Sequence, residues 1–270
     1  MIIIGLGSGR CGTRSLASLL NAQPDTVCFH EVNPSCMAWT GTDRTVLSML
    51  EEFRAVLAGG PRQITVDLAT RRRAEQLQRL RSLEVVRAIG DVASYYLPYA
   101  PMLAEMPDVR MPVLRRDRAA TVASFVEVMR IRRGPIRTVI DGVATLLRRR
   151  PYRRFRNHWV EHDGRRWRRS AKFDKCFPKF QADTLEDAVG QYWDLYYRTA
   201  GELAAKYPEK IRIFEVDDLN MQSGQRALLE FCGLRQPVFR SVRANVNGRT
   251  GDPMLAAALP VSDQGTSGAG

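Results

Sequence analysis

Short apolar runs and longer amphipathic segments follow one another along the chain. Ile2–Ile4 form a β-branched run, and after a glycine-rich stretch Leu16, Leu19 and Leu20 fall on one helical face. The same patterns predict strands at 26–30, 85–89, 109–114 and 211–216, with a possible strand at 64–68, and helices at 45–57, 71–83, 101–106 and from 185 onward. Strands that alternate with helices predict an α/β fold, with a parallel sheet between two layers of helices.

The stretch between the first strand and the first helix predicts a phosphate site. Gly7, Gly9 and Gly12 allow the backbone to turn its N–H groups toward an anion, and a helix beginning near Thr13 adds unpaired amides. A tight turn that binds nothing would use the same glycines, so the loop alone leaves both interpretations open. The spacing from Gly7 to Gly12 fits a Walker A loop, but Thr13 replaces the lysine and Arg14 the Mg²⁺-binding hydroxyl.

The cation of this loop comes earlier, at Arg10. The run RCGTRS from Arg10 to Ser15 resembles the K/R-x-G-T-x-[ST] loop of sulfotransferases, which holds the 5′-phosphosulfate of 3′-phosphoadenosine 5′-phosphosulfate (PAPS). The resemblance implies a P-loop-kinase-like fold with a central parallel sheet of four to five strands, and no metal. It also implies that the donor is bound by Gly9, Arg10, Cys11, Gly12, Thr13, Arg14 and Ser15, with Cys11 contributing only its backbone amide.

A second motif lies at 112–125, PVLRRDRAATVASF. It resembles the family's 3′-phosphate motif, V-x-x-x-R-D-P-x-x-x-x-x-S, with Arg116 and Ser124 at the expected spacing and Arg118 in place of proline. Because Arg116 would end a strand and Ser124 would follow on a helix, a guanidinium and a hydroxyl can converge on one phosphate. A C-terminal loop of the family closes over the same phosphate, and Arg249 is the candidate for that role.

The block around Gly90 departs from the family. It is similar to the run G-E-K-[ST]-P-x-Y-L, but Asp91 stands in place of glutamate and Val92 in place of lysine. A catalytic lysine at this position is therefore excluded.

His30 and Glu31 are the candidates for a general base. They follow the second predicted strand, and strand ends in an open α/β sheet face the ligand crevice. If the strand continued through both residues, only one side chain would point into the crevice. Carbohydrate-modifying sulfotransferases often carry a catalytic glutamate at this place, which ranks Glu31 ahead of His30. A core histidine and a capping glutamate are the structural alternatives.

The positive charge is concentrated in one segment. Residues 130–175 contain sixteen Arg or Lys against four acids, a surplus equal to the net charge of +12 of all 270 residues. We expect this basic insertion, at about 131–180, to bind an anionic acceptor such as a glycan, a lipid or a small metabolite, although a solvated face would have the same composition. The remainder of 1–261 is predicted to be one domain, followed by a disordered tail at 262–270.

Features that are absent from the sequence limit where the protein could be located and which cofactors it could bind. Five scattered cysteines without metal-ligand spacing indicate reduced thiols and no metal site. The absence of a signal peptide and of a long apolar run predicts a cytoplasmic protein with no transmembrane segment.

The motifs together predict a PAPS-dependent sulfotransferase. Glu31, or His30, would deprotonate an acceptor hydroxyl that attacks sulfur in line, while Arg10 neutralises charge on the departing phosphate of PAP. One alternative is a phosphotransferase of the same fold, with Asp91 as a metal carboxylate. Another is a non-catalytic protein that binds polyanions or nucleic acid through 130–175, which would leave both phosphate motifs unused.

Overall fold

The computed structural model describes residues 1–34, 43–68, 70–132, 184–234 and 237–241. The strands are β1 (Ile2–Gly5), β2 (Thr26–His30), β3 (Ala88–Val92), β4 (Val109–Arg115) and β5 (Ile211–Glu215). The helices are α1 (Thr13–Asn21), α2 (Asp43–Leu57), α3 (Arg71–Ser82), α4 (Ala100–Ala104), α5 (Arg118–Arg132), α6 (Leu185–Lys206) and α7 (Gln222–Phe231), with 3₁₀ helices at Ser94–Tyr99 and Val216–Asn220.

The five strands form one parallel sheet in the order β2-β3-β1-β4-β5. On one face, the leucines of α1 and α7 pack with Ile3 and Val92. On the other, α2, the 3₁₀ helix at Ser94–Tyr99 and the tyrosines of α6 pack with Ile2 and Ile4. The predicted three-layer α/β fold is therefore confirmed. Since all strands are parallel, the loops that leave β1, β2 and β4 open at the same edge of the sheet.

Helix α3 satisfies the free backbone edge of β2. Gln76 donates from Nε2 to the carbonyl of Cys28 at 2.9 Å, and Arg79 donates from Nε to the carbonyl of Thr26 at 3.2 Å. These bonds replace a neighbouring strand on the outermost strand of the sheet. Polar and basic side chains of α3 thus stabilise an edge strand, in addition to forming a solvated surface.

Two expectations for local structure were wrong. Residues 64–68 do not form a strand; the Asp67 amide only donates to the Val32 carbonyl, at 2.9 Å. The strand expected at 85–89 lies three residues later, at Ala88–Val92, because Gly90 and Asp91 pair inside the sheet with Ile3 and Ile4 of β1. Glycine and aspartate usually interrupt strands, and here tertiary pairing overrides that preference.

Much of the basic insertion lies outside the described residues, which reach it only where α5 ends at Arg132. Arg249 and the tail at 262–270 lie outside them as well. No helix within the described part of the chain is long and apolar enough to cross a membrane.

Candidate active site

The loop between β1 and α1 folds closely against its neighbours. A Cβ atom on Gly7 would lie 2.5 Å from the Cys11 sulfur, and one on Gly12 would lie 2.8 Å from Val216, so glycine is required at both positions. Gly12 also has a φ of 95°, and the non-glycine Arg10 has a φ of 57°. Left-handed backbone at a non-glycine residue is uncommon and is found preferentially at functional sites.

The start of α1 presents backbone amides to this loop. The Leu16 amide is the first in α1 to bond back along the chain, to the Gly12 carbonyl at 3.0 Å. The amides ahead of Leu16 are therefore outside the helical ladder, at the positive end of the helix dipole. This is the arrangement expected of an anion site.

Three tyrosines of α6 hold the backbone of this loop by hydrogen bonds. The Tyr196 hydroxyl accepts from the Gly7 amide at 3.0 Å, and the Tyr197 hydroxyl accepts from the Ser8 amide at 3.4 Å. Tyr192 donates to the Ser8 carbonyl at 3.0 Å. The Gly7 amide is thus bonded to a tyrosine side chain of the protein. An anion would therefore be bound by the loop residues that follow Gly7.

Arg10 joins the two phosphate motifs. Its Nε donates to the Ser124 hydroxyl at 3.0 Å, and Arg116 donates from Nη1 to the Arg10 carbonyl at 3.1 Å. Arg116 follows β4 directly and Ser124 lies on α5, whose start is capped by Asp117, because the Asp117 carboxylate accepts from the Ala120 amide at 2.8 Å. Arg10 therefore meets two residues that lie 106 and 114 positions further along the chain.

The unusual Arg118 has its own partner. It donates from Nε and Nη2 to the carboxylate of Asp194 on α6, at 2.8 and 2.9 Å. A Cβ atom on Gly190 would collide with the Arg118 guanidinium, so this glycine makes room for the pair. Arg118 stands where the family motif has proline, and its pair with Asp194 ties the start of α5 to α6.

His30 faces the loop through Thr13. Its Nε2 lies 3.1 Å from the Thr13 hydroxyl. Burial and the positive charges of Arg14, Arg72 and Arg73 lower the pKa of His30 to about 3, so the imidazole is neutral at physiological pH. An imidazole with that proton affinity is a weak base, and its Nε2 is already engaged.

Glu31 adopts a left-handed conformation at the point where β2 ends. Its φ is 56°, and its amide donates to the Val92 carbonyl at 3.2 Å. The strand therefore stops at His30, and the expected alternation between His30 and Glu31 does not apply. The turn, and not the pleat of a strand, sets the direction of the Glu31 side chain.

Asp91 lies inside β3, next to this turn. It is fully buried, and its carboxylate accepts hydrogen bonds from Tyr95, Tyr96 and the Val32 amide. Burial and, to a smaller extent, the charge of Glu31 raise its pKa to about 6 against the opposing effect of these bonds. Val92 is also fully buried, so the family's lysine position is part of the core.

The thiol of Cys11 lies beneath the loop. Burial raises its pKa, although interactions with Tyr197 and the loop backbone oppose the shift. The thiol is therefore protonated at neutral pH, in agreement with a position that supplies only backbone. Among the described residues, no group of three His, Cys, Asp or Glu side chains is arranged to hold a metal ion.

Comparison with known proteins agrees with this geometry. A model of the sulfotransferase family matches residues 2–169, which is more than half of the chain. The chain belongs to the sulfotransferase family. The match includes the Arg10 loop, Glu31, Arg116 and Ser124 of this sulfotransferase, whereas α6 and β5 lie beyond it. A search of curated proteins found no match.

The structure brings several of the predicted site residues together. Arg10, Arg116 and Ser124 are linked by hydrogen bonds, Thr13 contacts His30, and Glu31 and Asp91 interact electrostatically. The contacts of the α6 tyrosines with the loop, and the buried hydrogen bonds of Asp91, were not predicted from the sequence. The spacing of Tyr192, Tyr196 and Tyr197 on one helical face was a signal, but it equally predicts ordinary core packing.

Proposed function

We propose that this sulfotransferase moves the sulfuryl group of PAPS to a hydroxyl of an acceptor, giving PAP and a sulfate ester. The proposal is supported above all by the contact between Arg10 in the first motif and Ser124 in the second. A nucleotide that carries phosphate at both the 5′ and the 3′ position needs two anion sites at a fixed separation. The linked motifs provide a cation and donors for both.

The donor would lie along the edge of the sheet. Its 5′-phosphosulfate would bind the residues from Gly9 to Ser15, at the backbone amides where α1 begins. Its 3′-phosphate would bind Arg116 and Ser124, with Arg249 as a further proposed ligand. Arg116 already holds the Arg10 carbonyl at 3.1 Å, so nucleotide binding at one site would order the other.

Glu31 is the proposed base. It would take the proton of the acceptor hydroxyl as the oxygen attacks sulfur, the bond from sulfur to the bridging phosphate oxygen would break, and PAP would leave. Arg10 would neutralise the charge that develops on the departing phosphate. The lowered pKa of His30, about 3, and its contact with Thr13 favour Glu31 over His30 for this role.

The acceptor is proposed to carry negative charge. The charge of the basic insertion suggests such an acceptor, and most of that insertion lies outside the described residues. Independent support comes from the exit of β2, where the positive charges of Arg14 and Arg72 act on His30. A positive potential beside the proposed base would attract an anionic glycan, lipid or metabolite.

The competing phosphotransferase hypothesis needs a carboxylate that can reach a metal ion. Asp91 was the candidate, but its oxygens are fully buried and accept three hydrogen bonds. The lysine position of the loop holds Thr13, which contacts His30. These observations favour sulfuryl transfer over phosphoryl transfer.

The donor is tested by calorimetry in EDTA. We expect PAP to bind without metal and to raise the melting temperature, as a ligand of the native state must. Arg116→Ala should weaken PAP by about 10-fold or more, because a charged hydrogen bond to phosphate is lost. It should weaken adenosine 5′-phosphosulfate, which lacks the 3′-phosphate, much less.

Arg115→Ala is the matched control. Arg115 precedes Arg116 and is paired with Glu215, with Nε 2.7 Å from Oε1, so its loss should spare PAP. Tight binding of ATP with Mg²⁺ and none of PAP would refute the proposed donor. Equal losses for PAP and adenosine 5′-phosphosulfate in Arg116→Ala would instead remove Arg116 from the 3′-phosphate site.

A further inference from the structure

The carboxylate of Asp91 is held by donors from two directions. Tyr96 donates to Oδ2 at 2.7 Å and Tyr95 to the same oxygen at 3.1 Å, both from the 3₁₀ helix that follows β3. From the other side, the Val32 amide lies 3.1 Å from each carboxylate oxygen. Three donors and no solvent contact fix this group firmly in the core.

Val32 follows Glu31 and is held at both of its backbone polar groups. The Val32 amide donates to Asp91, and the Val32 carbonyl accepts from the Asp67 amide at 2.9 Å. On the other side of the turn, the Glu31 amide donates to the Val92 carbonyl at 3.2 Å. Asp91 therefore supplies a side-chain acceptor to a turn that has a left-handed φ of 56° at Glu31.

A buried carboxylate is a costly way to hold one amide, since an apolar core would avoid the desolvation of a charge. Repulsion from the charge of Glu31 at the end of β2 makes the cost larger, whereas the hydrogen bonds from Tyr95 and Tyr96 reduce it. Burial and the charge of Asp91 raise the pKa of the neighbouring Cys28 thiol of β2, which stays neutral. From α2 the neighbouring group is the uncharged sulfur of Met49, 3.2 Å from the Tyr96 hydroxyl.

We propose that Asp91 is a positioning residue, which fixes the turn between Glu31 and Val32 and thereby aims the Glu31 carboxylate at the acceptor site. This inference rests on the proposed function, in which Glu31 is the base. It explains a buried charge for which packing alone gives no reason. Asp91 itself touches no substrate in this account.

The test is Asp91→Asn, which preserves the size of the side chain and removes its charge. We expect kcat for sulfate transfer to fall by about 10- to 100-fold while the KM for PAPS and the affinity for PAP stay within about threefold, because a small misplacement of a base impairs the chemical step and not donor binding. The Val32 amide should exchange its hydrogen about 10-fold faster or more, since its charged acceptor is gone.

The pH profile adds a readout that a purely structural residue would not move. The acid limb of kcat should shift to lower pH in Asp91→Asn, because a negative charge that opposes ionisation of the neighbouring base is absent. Tyr96→Phe removes one donor and leaves Asp91 in place, so a smaller fall in kcat is expected even if Asp91→Asn folds poorly. Tyr207→Phe, which breaks the 3.0 Å bond to Glu105 far from the site, is the control and should change neither quantity.

Two results would overturn the proposal. One is a folded Asp91→Asn protein with wild-type kcat and unchanged exchange at Val32. The other is a fall in PAP affinity as large as the fall in kcat, which would make Asp91 a general stabiliser of the fold. The exchange and PAP measurements need no acceptor, so they decide the role of Asp91 in the turn even if no sulfate transfer is found. Absence of transfer with every acceptor in the wild-type protein would refute the proposed function instead.

Discussion

The proposed site has two ends: the donor end is the loop between β1 and α1, and the base end is the turn after β2 that contains Glu31. Different contacts hold these two ends in place. The loop between β1 and α1 takes its shape from its own glycines and from tyrosines of α6, with Gly7 and Tyr196 separated by 189 residues. The turn after β2 contains no glycine and is held by the carboxylate of Asp91 in the adjacent strand. Both ends therefore depend on tertiary contacts, but only the donor loop is also marked by a short sequence motif.

The two ends share one feature. Among non-glycine residues of the described chain, positive φ occurs at Arg10, Glu31 and Asp25. Asp25 lies in the turn that precedes β2, where aspartate tolerates this conformation. Arg10 and Glu31 have no such intrinsic preference, so the surrounding structure must hold each of them.

The sharpest separation of the two ends is expected from Glu31→Gln. This change keeps the size of the side chain and removes the base, so we expect kcat to fall by about 100-fold or more. The affinity for PAP should not change, because the donor end is built without Glu31. Steady-state kinetics of sulfate transfer and calorimetry with PAP measure the two quantities independently.

Glu75→Gln provides the control for a glutamate on the protein surface. Glu75 pairs with Arg71 on an exposed face of α3, at 2.8 Å, and its change should leave both quantities as they are. A mild effect of Glu31→Gln on kcat would mean that the acceptor arrives ionised or that another residue is the base.

The two ends also differ in how well the sequence predicts them. The strand, loop and helix from Ile2 to Asn21 were predicted closely, because apolar periodicity and glycine spacing act within one turn of chain. The family motif predicts that Arg116 and Ser124 converge on one phosphate, and the structure links both residues to Arg10 by hydrogen bonds. The motif carries the family's fold with it, so tertiary information was already present.

The base end could not be predicted in the same way. Alternation along β2 was expected to separate His30 from Glu31, but the strand ends between them. Nothing in the local sequence shows that Val92 and Asp91 bind the backbone of this turn from 60 residues further along. The strand that carries Asp91 was itself placed three residues too early, because glycine and aspartate are poor strand formers.

The donor loop should also be vulnerable to a change in α6. Tyr196→Phe leaves the buried Gly7 amide and the buried Ser94 carbonyl without their partner, so we expect a loss of about 1 to 3 kcal/mol in the free energy of unfolding. PAP affinity should fall with it, and kcat at saturating donor should be nearly preserved. Urea denaturation with an unchanged m-value is the measurement, and Tyr207→Phe is the control. Wild-type stability would show that α6 does not support the loop.

The smallest effect on activity is expected from His30→Asn. His30 is neutral and contacts Thr13, so its loss should lower kcat by less than about threefold. Its effect on stability should depend on pH. The folded protein lowers the pKa of His30 from 6.5 to about 3, so protonation below pH 6.5 favours the unfolded chain. The stabilising contribution of His30 is therefore present above pH 6.5 and is lost progressively as pH falls toward 3.

Denaturation of the wild-type and His30→Asn proteins at several pH values tests this directly. The wild-type protein should lose stability relative to the variant as pH falls from 6.5, because asparagine has no proton to bind in the unfolded state. A difference that does not vary with pH would contradict a neutral, desolvated imidazole. If His30→Asn instead lowered kcat more than Glu31→Gln, His30 would be the base, and the left-handed turn at Glu31 would have to serve binding of the acceptor and not its deprotonation.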